Sequence, residues 1–382
     1  MFTDPALASQ ARRFVWLEID TEKAKNASVR KQLAVAALPS FFILDPADER
    51  VALRWVGGAT VPALTRILDD GRAAVTAGTV ASGRGGLGSP ADSALARADD
   101  AYGRADYATA AAGYREALKL APAGWSSDGR TVESLLYALN QTDGYEEGAS
   151  LALAAYPRLA RTPSAPNVAA SGLDCALSLP ADHPRRAELV AALDQITRAV
   201  AEDLTLSMAA DDRSGVYITL LDARKDAHDS TGARATAEAW SAFLDGEAAK
   251  AKTPDARMVF DPHRLSAYIE LGQPERAIPM LEASERDAPG DYNPPARLAL
   301  AYKAMKHWKE ALAASDRALK RAYGPRTLTF YSARTDIYLG MADSLSARRT
   351  LREAVTFAEA LPPGQRSDGT IAAFKKRLDA LH

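Results

Sequence analysis

Apolar residues recur at intervals of three and four along most of the chain, as in Leu189, Leu193, Ile196, Val200 and Leu204. That spacing predicts amphipathic helices. Thr131 to Leu159 reads as two helices meeting near Gly144, with Gly148 and Ala149 as a small pair at their crossing. Prolines at 163, 166, 180 and 184 fence a further pair, Val168 to Leu179 and Arg185 to about Met208. Asp211 to His228 and Thr231 to Lys252 form another, with Asp229 and Ser230 placed to cap the second helix. About seven hairpins and a last helix, Ile371 to Leu381, fill the region, and the last helix covers the open end of the stack. The first 76 residues have a different rhythm. Phe14–Asp20, Ser40–Pro46 and Val51–Gly58 read as strands, Thr21–Ala36 and Val61–Val75 as helices, with Thr60 as a cap and Pro62 in the first turn.

The helical pattern also repeats. AYIELGQPERAI, Ala267 to Ile278, returns 34 residues later as AYKAMKHWKEAL, Ala301 to Leu312. After 36 more, Tyr338, Met341 and Ala347 take the places of Tyr302, Met305 and Ala311. An upstream copy runs from Tyr102 to Pro122, with Ala101, Ala105, Tyr107, Ala110, Tyr114 and Ala117 in register. A period of this length implies hairpins that bury their apolar faces only by stacking on neighbours. These positions, together with Leu271, Gly272, Ala277, Leu281 and Pro289, Trp308 and Ala318, and Ala342 and Ala354, resemble the tetratricopeptide repeat. The resemblance implies an α-solenoid whose first helices line a groove for a protein or peptide. On those helices Arg264, Arg297, Lys303 and Arg334 are candidate contacts. Tyr268, Tyr302, Tyr331 and Tyr338 fall on the same helices, and Tyr268, Tyr302 and Tyr338 occupy consensus packing positions.

Val15-Trp16-Leu17 with Asp20, then Leu38-Pro39-Ser40 leading into Phe41-Phe42-Ile43-Leu44-Asp45, then Gly57-Gly58, resemble the later half of a thioredoxin fold. The resemblance implies a cis bond before Pro39 and a client backbone received beside Leu38 and Pro39. It departs where the chemistry lies. Redox members carry Cys-x-x-Cys at the start of a helix, which lowers a thiol pKa; that pair would lie upstream of Phe2. The single cysteine, Cys175, sits among apolar neighbours in a helical stretch and reads as a packing thiol. The strand that separates Phe14–Asp20 from Ser40–Pro46 in that fold is also missing, which leaves backbone groups to be satisfied in another way. The two strands could close up, another chain could supply the missing one, or the gene product could begin upstream, restoring strand, cysteines and an export signal. The last is the expectation.

Composition adds limits. Apolar residues make up 47% and charged residues 25%, with a net charge of −2, which fits a folded globular or solenoid chain. No run reaches the roughly 18 apolar residues of a membrane span, and the N-terminus lacks the basic-then-apolar layout of an export signal. The chain as written reads as cytoplasmic, or periplasmic or secreted with an upstream start. Residues 296–382 hold 16 Lys and Arg against 8 Asp and Glu, while 91–295 carry a net −12. The basic end lacks the aromatic and glycine pattern of base stacking, which argues against nucleic acid and leaves an acidic peptide or pairing of opposite ends. Five scattered histidines form no metal-ligand spacing. Gly83-x-Gly85-Gly86 lacks the Lys-Ser/Thr of a phosphate loop, and no nucleophile elbow occurs.

The expected organisation is therefore mainly α: a partial thioredoxin-like α/β domain over 1–76, a Gly/Ser linker over 77–90, and a tetratricopeptide-like α-solenoid over 91–382. The expected function is a scaffold binding a protein or peptide, with a redox-inactive thioredoxin-like module. No cofactor, metal, small molecule, membrane or catalytic residue is expected. The alternative is a thiol–disulfide oxidoreductase or redox chaperone missing its Cys-x-x-Cys segment.

Overall fold

The computed structural model describes residues 4–35, 38–57, 59, 61–78, 89–206 and 208–381. Its elements run α1 (Ala27–Gln32), β1 (Ser40–Leu44), β2 (Val51–Val56), α2 (Val61–Ala77), α3 (Pro90–Gly103), α4 (Tyr107–Leu120), α5 (Asp128–Asn140), α6 (Tyr145–Leu159), α7 (Ala165–Ser178), α8 (Arg186–Glu202) and α9 (Ala210–Asp226). They continue with α10 (Ser230–Lys250), α11 (Pro254–Met258), α12 (Asp261–Glu270), α13 (Ala277–Asp287), α14 (Asn293–Ala304), α15 (Trp308–Arg321), α16 (Thr327–Gly340), α17 (Ser344–Ala360) and α18 (Asp368–Asp379). The helices predicted from Thr131 onward are all present. The linker 77–90 falls largely outside the described residues, as do the Gly83-x-Gly85-Gly86 run, Gly58 and the Thr60 cap.

One local device closes hairpin after hairpin. The first helix ends on a residue with positive φ: Ala105 at 59°, Asp143 at 57°, Gly272 at 68°, Lys306 at 59° and Ala342 at 58°. The next residue turns its N–H back to the carbonyl five positions earlier, Asp106 to Ala101, Gly144 to Leu139, Gln273 to Tyr268, His307 to Tyr302 and Asp343 to Tyr338, at 2.8–3.0 Å. This satisfies a carbonyl that the helix end leaves without a partner. Several of the following helices are then capped by a side chain: Asp106 accepts from the Thr109 N–H, Asp229 from Gly232 and Asp343 from Ser346. The small residues of the repeat lie where the paired helices meet. Ala110, Ala117, Ala277, Ala311, Ala347 and Ala354 are fully buried, so the backbones approach closely and larger neighbours fill the grooves between them. This is a mainly α architecture of stacked tetratricopeptide-like hairpins.

The contacts gather into two compact units. One comprises residues 1–18 and 34–228. In it β1 and β2 pair antiparallel, Phe42 opposite Arg54, with an irregularity at Ile43/Leu44. Leu64, Ile67 and Leu68 of α2 pack on Ile43, Leu53 and Trp55. Arginines tie this sheet to the helices: Arg54 donates to the Gly103 carbonyl at 3.2 Å, and Arg130 stacks 3.6 Å over Trp55 and donates to the Val56 carbonyl at 2.6 Å. Beyond it, α5, α7 and α9 touch in sequence as one layer, with α6 and α8 as the second.

The other unit comprises residues 19–33 and 229–382. Here α12, α14 and α16 form the layer of first helices. Residues 20–27 run along the loops before α16 and α18. Tyr323 donates to Asp20 at 3.0 Å, the Arg326 N–H to Glu22 at 2.7 Å, and Gln365 to the Thr21 carbonyl at 2.8 Å. The approach is so close that a Cβ on Gly324 would lie 2.2 Å from the Glu22 oxygen, and one on Gly364 2.0 Å from that of Ala27.

The N-terminal expectations need correction. Phe14–Asp20 forms no strand; Val15 is 89% exposed and Leu17 75%. Among the described residues no strand is paired with this segment, and apolar composition does not make a strand without a partner. Among the described residues the sheet has two strands. The helix expected over Thr21–Ala36 shortens to a 3-10 turn, Ala24–Asn26, and α1. The bond before Pro39 is cis, as the thioredoxin resemblance implied. A two-stranded hairpin with one helix is the extent of that likeness here.

Candidate partner-binding face

On α5, Glu133, Tyr137 and Asn140 are spaced four and three apart, and on α7 so are Asn167, Ser171 and Asp174; each set therefore lies on one helix face. The two faces are joined across the layer. Asn167 Nδ2 donates to Glu133 Oε2 at 3.0 Å, and Asn140 Nδ2 to Asp174 Oδ2 at 2.8 Å. Asp212, Gly215 and Thr219 extend the row onto α9. Between α7 and α9 the surface sinks into a recess of about 340 Å³, lined by Asn167, Ser171, Asp174, Asp211, Asp212 and Thr219.

The recess is electrically unbalanced. Burial raises the Asp174 pKa, and the nearby Asp222 adds to the rise against the Asn140 hydrogen bond. Burial likewise raises Asp212, opposed by the Ala209 backbone and reinforced by Asp211. Glu133 is raised by burial too, against hydrogen bonds from Ser164 and Asn167 and the Arg130 charge. Asp212 is half-buried and Asp174 lies at the open edge of the recess, and both carry raised values without a neighbouring cation among their causes. Next to this row the Tyr137 ring meets Tyr102 and Tyr107, with centroids 5.4 and 5.6 Å apart. Tyr137 remains 43% exposed. Burial, with the neighbouring tyrosines, pushes the Tyr102 hydroxyl far up.

The contacts expected from the sequence lie elsewhere. Arg264 donates to Asp245 at 2.8 Å and to the Tyr268 hydroxyl at 3.2 Å, and Arg276 joins the same carboxylate at 3.0 Å. Arg334 repeats the arrangement two hairpins on, with Asp316 and, at 3.3 Å, Tyr338. Both arginines therefore fasten a first helix to the helix before it, and Tyr268 and Tyr338 are buried. Burial lowers the Arg297 pKa, offset chiefly by Asp261. Lys303 stands 4.0 Å from Asp336, which also holds Arg377 at 2.7 Å, so α14, α16 and α18 share one charged row. Leu38 is 68% exposed and Pro39 is exposed beside it. Residues 131–222 went unremarked as contacts because the repeat pattern fades there, although the four-and-three spacing of polar residues was already visible.

No protein-family model matches the chain, and no curated protein does. Among solved structures it is similar to a tetratricopeptide repeat protein from Parabacteroides merdae, at 11% identity and TM-score 0.46 over 76% of this chain and 98% of that one. It is also similar to the TPR2AB domain of yeast Sti1 in a complex with pHSP90, at 17% identity and TM-score 0.26 over 76% of this chain and 96% of that one. A third is the Cut9–Hcn1 hetero-tetramer of the APC/C, at 12% identity and TM-score 0.36 over 84% and 57%. These scores are low, and the fold rests on the helix pairing itself. Among the described residues no helix is long and apolar enough to cross a membrane. Among the described residues no group of three or more His, Cys, Asp or Glu is placed to hold a metal ion.

Proposed function

We propose that the chain is a protein-interaction scaffold, and that it holds a segment of its partner against the shared face of α5, α7 and α9. The observation that carries this reading is the row of side chains at four-and-three spacing on consecutive helices, ending in an open recess rather than in a packed core. Residues on rigid helices present such a row with little ordering cost. Exposed Tyr137 supplies an anchor of the type that dominates binding energy. Lys303 is the better contact of the residues first chosen in the C-terminal unit, because its pair with Asp336 is long, at 4.0 Å, whereas Arg264 and Arg334 are less exposed and held by close hydrogen bonds. Leu38 and Pro39 remain available as a second contact.

A redox role finds no support in the thiol. Cys175 is fully buried, and burial together with Asp174 pushes it up to about 12. A protonated, enclosed thiol is a poor nucleophile. Selection from a displayed random peptide library tests the scaffold reading. Peptides should be recovered whose affinity falls at least tenfold with Ser171→Trp, which fills the recess. Recovery of none, or of peptides indifferent to Ser171→Trp, would overturn it.

A further inference from the structure

We propose that the segment held by the α5–α7–α9 face is extended and basic, with a Lys or Arg side chain entering the recess between α7 and α9. This rests on the partner-binding reading and adds the chemistry of the partner. The argument is charge complementarity at the open recess between α7 and α9. Asp174 and Asp212 line the recess, and among the described residues neither has a Lys or Arg within ion-pair distance. Of the other groups around the recess, Asn140, Asn167 and Thr219 are neutral and Asp211, Asp222 and Glu133 are acidic, with Arg130 near Glu133. A like-charged ligand would meet several carboxylates in a partly dehydrated setting, where repulsion is strong. An ammonium or guanidinium supplies the missing counter-charge, and Arg can bind a carboxylate through two parallel hydrogen bonds.

A second feature points to the same ligand independently. Tyr102, Tyr107 and Tyr137 form a partly buried aromatic group at the α3 side of the row, with Tyr137 its exposed member. A tyrosine face attracts a cation. A basic segment would thus find an aromatic surface and an acidic recess in succession. The size of the recess, about 340 Å³, suits one long side chain rather than a folded domain.

The test uses the full-length protein and three labelled peptides of equal length, rich in lysine, in glutamate, or in serine, followed by fluorescence anisotropy. The lysine-rich peptide should bind at least tenfold more tightly than the other two and weaken as salt rises. The double variant Asp174→Asn/Asp212→Asn keeps shape and removes charge; it should lose at least tenfold. Tyr137→Ala should lose severalfold. Neutralising the exposed Glu116 on α4 should change nothing, and circular dichroism confirms folding of each variant. Equal loss with Glu116→Gln would reveal unspecific attraction and overturn the proposal. If library peptides blocked by Ser171→Trp carry no basic residues, the scaffold reading stands and the basic partner falls. If Ser171→Trp blocks nothing, both fall.

Discussion

Ala105 and Ala342 hold φ near +59°, a region where a Cβ crowds the following carbonyl. Glycine removes that crowding but enlarges the freedom of the unfolded chain, so the two effects partly cancel. Ala105→Gly and Ala342→Gly should each stabilise by about 0.5–1 kcal/mol, read as a higher midpoint in urea. At Asp174 and Asp212 the folded pKa is raised, so the native state binds more protons than the unfolded one between the ordinary carboxylate value and the raised value. Stability from these groups then rises as pH falls through that window. Asp174→Asn/Asp212→Asn should therefore melt higher than the wild type at neutral pH, and the gap between the two should shrink as pH falls through that window. Glu285, lowered by its hydrogen bond from Arg317, acts oppositely: its contribution is present above the ordinary carboxylate value and lost as pH falls through its folded value.

At the scale of the element, the hairpins were legible because each rests on local chemistry. Ala311 and Ala347 recur at a helical crossing, Asp229 caps α10, and Gly144 marks a turn. The left-handed turn was not legible, since Ala, Asp, Lys and Gly all fill the same place and only backbone geometry reveals it. The first strand misled for the opposite reason. Val15, Trp16 and Leu17 have strand-forming side chains, but a strand exists only with a partner, and that is not written in its own residues. Arg264 and Arg334 were legible as residues on first helices; their carboxylate partners, Asp245 and Asp316, lie on preceding helices and emerge only from packing.

At the scale of the molecule, residues 19–33 join a unit whose other residues begin at 229. Nothing in the sequence of that segment foretells it, because a backbone-to-backbone approach depends on two distant glycines. Gly364→Ala should therefore push a methyl against the Ala27 carbonyl and cost about 1–3 kcal/mol, with faster hydrogen exchange in residues 20–27 than in the wild type. The charge of the chain divides as well, acidic over 91–295 and basic beyond, and the acidic part holds the open recess. The most direct measurement of the central claim is hydrogen exchange on the full chain with and without a selected peptide. Slower exchange confined to α5, α7 and α9 is the predicted result; protection confined to other helices, with these three unchanged, would contradict it.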